Sequence, residues 1–136
     1  MPIRTARRAA NNLLGLLYRT PFWSEVWSGI AAVLWSLISI LGSGDVTHRP
    51  SFAPLGELAP TWVWEGSGVI LGIGQLTAVT VNQWPARWVA AFMLAAWWML
   101  LTICILQYDA AAPTWGVYLC YAISNLVSMA RLVRRS

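Results

Sequence analysis

The chain has 136 residues, 58% of them apolar and only 10% charged, with a mean hydropathy of +0.59 and a net charge of +4. An ordinary soluble domain carries roughly 25% charged residues, and a chain this poor in them lacks the polar surface to cover itself in water. Soluble folds are therefore excluded, and the apolar residues arrive in long blocks that approach the ~20 residues a helix needs to cross a bilayer.

The chain opens with PIRTARRAANNLLGLLYR. At 100° per residue, Ile3, Ala6, Ala10, Leu13, Leu14 and Leu17 share one side and Arg4, Arg8, Asn11, Asn12 and Arg19 the other. Residues 1–22 are expected to form a basic amphipathic segment lying on the inner leaflet, its arginines against anionic head groups. The competing reading is a frayed tail that only sets orientation. A cleaved signal peptide fits less well, because the charged region is long and no A-x-A site follows the first span.

Residues 23–136 are expected to hold four spans, at about 26–41, 62–81, 88–106 and 114–133. All seven prolines fall outside these blocks or at their edges, where helices start and stop. A membrane barrel would need alternating segments of ~10 residues, and none occurs. The predicted fold is all-α: an integral membrane four-helix bundle preceded by an interfacial helix.

All nine basic residues are arginines, and only Arg49 falls between the first and second spans. The positive-inside rule then places both termini in the cytoplasm of a bacterial or phage-host inner membrane. Trp23, Trp27, Trp84 and Trp88 are expected in the inner aromatic belt, and Trp62, Trp64 and Trp115 in the outer one. With the charge explained by topology, no nucleic-acid partner is expected. The lipid bilayer is the expected partner.

The loop GSGDVTHRPSFAPLGELAP is too short for a domain and is expected to lie over the mouth of the bundle. Its His48 is the single histidine, so one chain cannot build a bis-histidine haem or a histidine-rich metal site. No metal or cofactor is expected. Glu25 and Asp109 read as solvated boundary residues.

The second span, TWVWEGSGVILGIGQLT, carries the sharpest candidates. Thr61, Glu65, Gly68, Gly72, Gln75, Val79 and Asn82 fall in one sector of about 100°. Gly68 and Gly72 form a G-x-x-x-G step that lets another backbone approach closely. The same sector must face protein or water, since Glu65 and Gln75 are costly against lipid. Glu65 is either an interfacial carboxylate, paired with Arg49, or a proton- or cation-binding group with Gln75 and Asn125 further along the same path. The string GSGVILGIG matches a dinucleotide fingerprint only superficially, as neither a preceding strand nor a following acid accompanies it.

Other spans offer small-residue faces: Gly29, Ala32, Ser36 and Ser39 in the first; Ala91, Ala95 and Thr102 in the third; Gly116, Cys120, Ser124 and Ser128 in the fourth, with Asn125 beside them. These suit a bundle, or a homo-oligomer or membrane-protein partner docked on one face. Cys104 and Cys120 lie at similar depth and form either a disulfide or two buried thiols. No catalytic set of Ser/His/Asp, H-E-x-x-H or P-loop type is present, so an enzyme is not expected.

The last hairpin, ARWVAAFMLAAWWMLLTICIL followed by PTWGVYLCYAISNLVSMARL, loosely resembles the ends of small multi-span proteins of tailed phages, some of them holins. That resemblance implies a self-associating membrane protein that makes lesions. The outline of four spans with a membrane glutamate is also similar to the small multidrug resistance carriers, which would imply a proton- or cation-coupled transporter. Their glutamate belongs to the first helix, whereas the first span drawn here has no acid within its core. An accessory subunit of a larger membrane complex is the third expectation.

Overall fold

A computed structural model of the protein describes residues 22–42 and 49–134. The proposed amphipathic segment and His48 lie outside the described residues.

Five α-helices and one 3-10 turn make up the described chain: α1 (Phe22–Leu41), a turn at Pro50–Phe52, α2 (Ala53–Leu58), α3 (Thr61–Val81), α4 (Trp84–Tyr108) and α5 (Thr114–Val133). The protein is all-α and multi-pass. Three helices are long and apolar enough to cross a bilayer: Trp23–Leu41 of α1, Trp84–Tyr108 and Thr114–Val133. At 21 residues α3 is as long as α1 and α5, but Glu65, Gln75 and four glycines dilute its hydropathy and it falls outside that set.

Helix boundaries follow from prolines and one left-handed residue. Pro60 is the N-cap of α3, Pro113 that of α5, and Pro85 occupies the first turn of α4, where a missing N–H costs nothing. Between α3 and α4 the chain reverses in two residues. Asn82 adopts φ 56°, ψ 32°, and its N–H closes on the Ala78 carbonyl. Asparagine tolerates this conformation better than any other residue with a Cβ, which makes it a natural helix terminator.

The four long helices run up-down-up-down. α1 packs most closely on α3 and α4 on α5, while α3–α4 and α1–α5 contacts close the ring. The crossing of α1 and α3 is glycine on glycine: a Cβ on Gly72 would lie 2.7 Å from the Gly29 carbonyl oxygen and 2.6 Å from a Val33 methyl. Both edges of the bundle that face away from this interior are apolar and exposed, as at Ile38, Ile70, Phe92 and Ile123. That is the distribution expected where hydrocarbon is the solvent.

The segment 50–58, the 3-10 turn and α2, packs onto the bundle core. Phe52 and Leu55 are buried in the core with Trp97, Trp98 and Leu101. Trp64 is a correction to the aromatic-belt expectation. It is buried, and its Nε1 donates to the Leu55 carbonyl at 2.9 Å and the Ala59 carbonyl at 3.2 Å, tying α2 down onto α3. Trp62, two residues earlier, points outward with 72% exposure. Near the opposite end, Trp23, Trp27 and Trp84 are exposed, with Trp23 and Trp27 stacked at 6.1 Å.

Candidate functional site: the polar interior

Eight polar or charged side chains are buried among the described residues: Glu25, Ser28, Ser36, Gln75, Arg87, Thr102, Asn125 and Ser128. They come from all four long helices and lie inside the bundle.

At one end Glu25 and Arg87 form an ion pair. Arg87 Nε donates to Glu25 Oε2 at 2.9 Å and Arg87 Nη2 to Oε1 at 3.0 Å, a bidentate fork. Nη1 donates to Asn82 Oδ1 at 2.9 Å, so the residue that ends α3 also holds the first turn of α4. Glu25 is fully buried and Arg87 nearly so. The expectation of a solvated Glu25 is thereby overturned. α1 begins at Phe22, four residues before the predicted span, and this brings Glu25 into its first turn, where the helix dipole favours an anion. The signal was in the sequence: the ladder Gly29, Ala32, Ser36, extended back one turn, reaches Glu25. Asp109 does lie exposed, its Oδ1 accepting from the Ala111 N–H.

One turn deeper, Ser28 Oγ accepts from Trp98 Nε1 at 3.0 Å and from Asn125 Nδ2 at 2.6 Å, joining α1, α4 and α5 at one atom. Asn125 Nδ2 also reaches the Tyr121 carbonyl. Ser24 and Ser128 hydroxyls meet at 2.9 Å, a second α1–α5 link. Ser28 and Trp98 were not singled out from sequence, where tryptophan reads first as a belt residue. Here Trp35, Trp97 and Trp98 form an edge-to-face chain with centroids 4.9 to 5.2 Å apart, and each indole N–H finds a hydroxyl: Tyr118, Ser67 and Ser28 respectively.

The sequence-derived candidates separate. Gln75 and Asn125 are fully buried in this interior. Glu65 lies half-buried in the first turns of α3, near the other end. Gly68 and Gly72 sit at close helix contacts within the chain, Gly68 against Ser36 Oγ and Trp97. Ser128 is buried. Ser124 is half-buried, with its hydroxyl on the Tyr121 carbonyl. Gly116 differs: a Cβ there would meet open space. Cys104 is buried, Cys120 is exposed, and both are free thiols.

Among the described residues, four buried polar atoms have no protein partner: both amide atoms of Gln75, Asn125 Oδ1 and Ser36 Oγ. Among the described residues there is no group of three or more His, Cys, Asp or Glu side chains that could hold a metal. Outside the interior, an open apolar groove of about 650 Å³ runs between the end of α3 and the start of α4, lined by residues including Gly74, Ala78, Val81 and Val89.

Comparison with family models, with curated proteins and with solved structures finds no match.

Proposed function

We propose that the protein is a four-span inner-membrane protein of holin type, which self-associates and permeabilises the bilayer, with α1, α3, α4 and α5 as its spans and both termini cytoplasmic. The observation that carries this reading is the buried polar interior. A bundle whose task was only to pack would be at least as stable with the whole set replaced together by well-packed apolar side chains, because buried polar and ionic groups seldom return their desolvation cost. Retaining eight of them beneath an apolar exterior stores a hydrophilic face that can line water once helices separate and neighbouring copies assemble. The likeness of the last hairpin to small tailed-phage proteins points the same way. α3 suits the fourth span, since its ~31 Å length matches the hydrocarbon thickness, with Ile70, Ile73 and Val81 exposed on its outer side.

The outer side of α3 supplies the association face. Gly68 and Gly72 are spent on contacts within the chain, whereas a Cβ at Gly66 or Gly74 meets open space. Gly74 also lines the α3–α4 groove, so this outer face offers close approach to a second copy. Induction in a bacterial host carrying a potential-sensitive dye tests the reading. The intact protein should collapse the potential abruptly, and Gly66→Leu/Gly74→Leu, present at equal level in the membrane, should not. High-level expression with a sustained potential would remove it.

The Glu25–Arg87 pair supports a second reading, a proton- or cation-coupled carrier that uses the interior of one bundle as its path. An ionisable group inside a membrane protein is a functional candidate by default. Proton flux into proteoliposomes that Glu25→Gln leaves unchanged would dismiss it.

A further inference from the structure

We propose that Gln75, Asn125 and Ser28 hold bound water in the middle of the bundle, a hydration site enclosed by four helices. Gln75 is fully buried, and neither its Oε1 nor its Nε2 has a protein partner. Asn125, also fully buried, keeps Oδ1 unpartnered while its Nδ2 is committed to Ser28 Oγ and the Tyr121 carbonyl.

Register brings these groups to one depth. The Cβ position of Gly29 lies 3.1 Å from both the Gly72 carbonyl oxygen and Leu76 Cγ, which sets the turn of α1 that carries Ser28 at the level of the turn of α3 that carries Gln75. The Asn125–Ser28 hydrogen bond adds α5 at the same level, and the Trp98–Ser28 bond adds α4.

The donor and acceptor pattern selects the occupant. Two amide carbonyls need donors, and the Gln75 amino group needs an acceptor. A cation would serve the carbonyls and be repelled by the Nε2 hydrogens; an anion would do the reverse. Only a neutral molecule that donates and accepts serves all of them, and water does so within the 2–4 partners that buried waters take. Local charge agrees, because Glu25 and Arg87 cancel one turn away.

This inference goes beyond the permeabilisation reading and stands without it. In wild-type protein held in bicelles, a rotating-frame Overhauser spectrum should show a cross-peak of dipolar sign between the Gln75 side-chain amide protons and water. Asn125→Leu should weaken that peak and shift the Gln75 side-chain nitrogen resonance. Gln75→Leu, which strands the water and its remaining partners, should lower the thermal midpoint. A missing cross-peak in the wild type, or a raised midpoint in Gln75→Leu, would overturn the site.

Discussion

Gly66 and Gly68 stand two residues apart on α3 and have opposite surroundings. A methyl group at Gly68 would run into Ser36 Oγ and lie 2.8 Å from the Trp97 ring, while at Gly66 it meets nothing within 4 Å. The Ser36 hydroxyl and the rigid Trp97 indole leave little room to give, so overpacking there should cost about 1–3 kcal/mol. At Gly66 only the intrinsic helix preference of alanine over glycine remains, a gain of up to ~1 kcal/mol. Gly72→Ala should behave like Gly68→Ala, because its neighbour is the Gly29 carbonyl, part of a backbone that cannot rotate away. Reversible unfolding in mixed detergent micelles, followed by tryptophan fluorescence, should therefore order the variants Gly66→Ala and Gly74→Ala above wild type and Gly68→Ala and Gly72→Ala below it. Equal effects at all four would mean that α3 does not pack on α1 through this face.

Among the elements, the Glu25–Arg87 pair stands out because of what it joins. α1 and α4 lie diagonally across the bundle and share few backbone contacts. The ion pair and the Trp98–Ser28 bond thus couple the α1–α3 pair to the α4–α5 pair through side chains. Removing one partner leaves the other charge buried, and Glu25→Gln should destabilise the fold by about 3–5 kcal/mol. Replacing both with apolar side chains, as in Glu25→Leu/Arg87→Met, removes the stranded charge and should recover most of that loss. The same unfolding assay reads both, and a double variant as unstable as the single one would show that the pair does more than balance its own burial. Much of this architecture was legible beforehand. The blocks of apolar residues located all four long helices, and the prolines marked their edges to within a few residues. Contacts between helices were harder to read. Glu25 lay just outside the predicted span, and Arg87 looked like a topology marker, because flanking charge and paired charge have the same composition. Trp64 was hidden for a similar reason: a tryptophan near a span end suits the interfacial belt and the core equally, and only tertiary packing decides which of the two it joins. Trp98 lies mid-span, where an unbroken apolar run does not say which side of the helix faces the bundle.

For the molecule as a whole, the number of crossings decides where its ends lie, and α3 is the helix on which that number turns. Its apolar outer side and its close glycine contact with α1 argue that it spans, while Glu65, Gln75 and four glycines lower its hydropathy. Packing offsets that deficit. Gln75 is buried in the interior and Gly68 and Gly72 trade side chains for close helix contact, and the large apolar side chains exposed on its flank include Ile70, Ile73 and Val81. A helix that enters the membrane already docked on α1 does not need the hydropathy of one that enters alone, because its polar groups need not meet hydrocarbon. Reporter fusions test this directly. Alkaline phosphatase joined after Arg49 should be active, and joined after Asn82 or Arg134 it should be inactive. A fluorescent protein that folds only in the cytoplasm should give the complementary pattern. If α3 lay along the surface instead, the fusion after Asn82 would become active and the chain beyond α5 would emerge on the opposite side from its start. The Glu25–Arg87 pair would then have to reach across the bilayer from α1 to α4, which a 2.9 Å contact forbids, so an active fusion at Asn82 would count against the whole arrangement of the bundle.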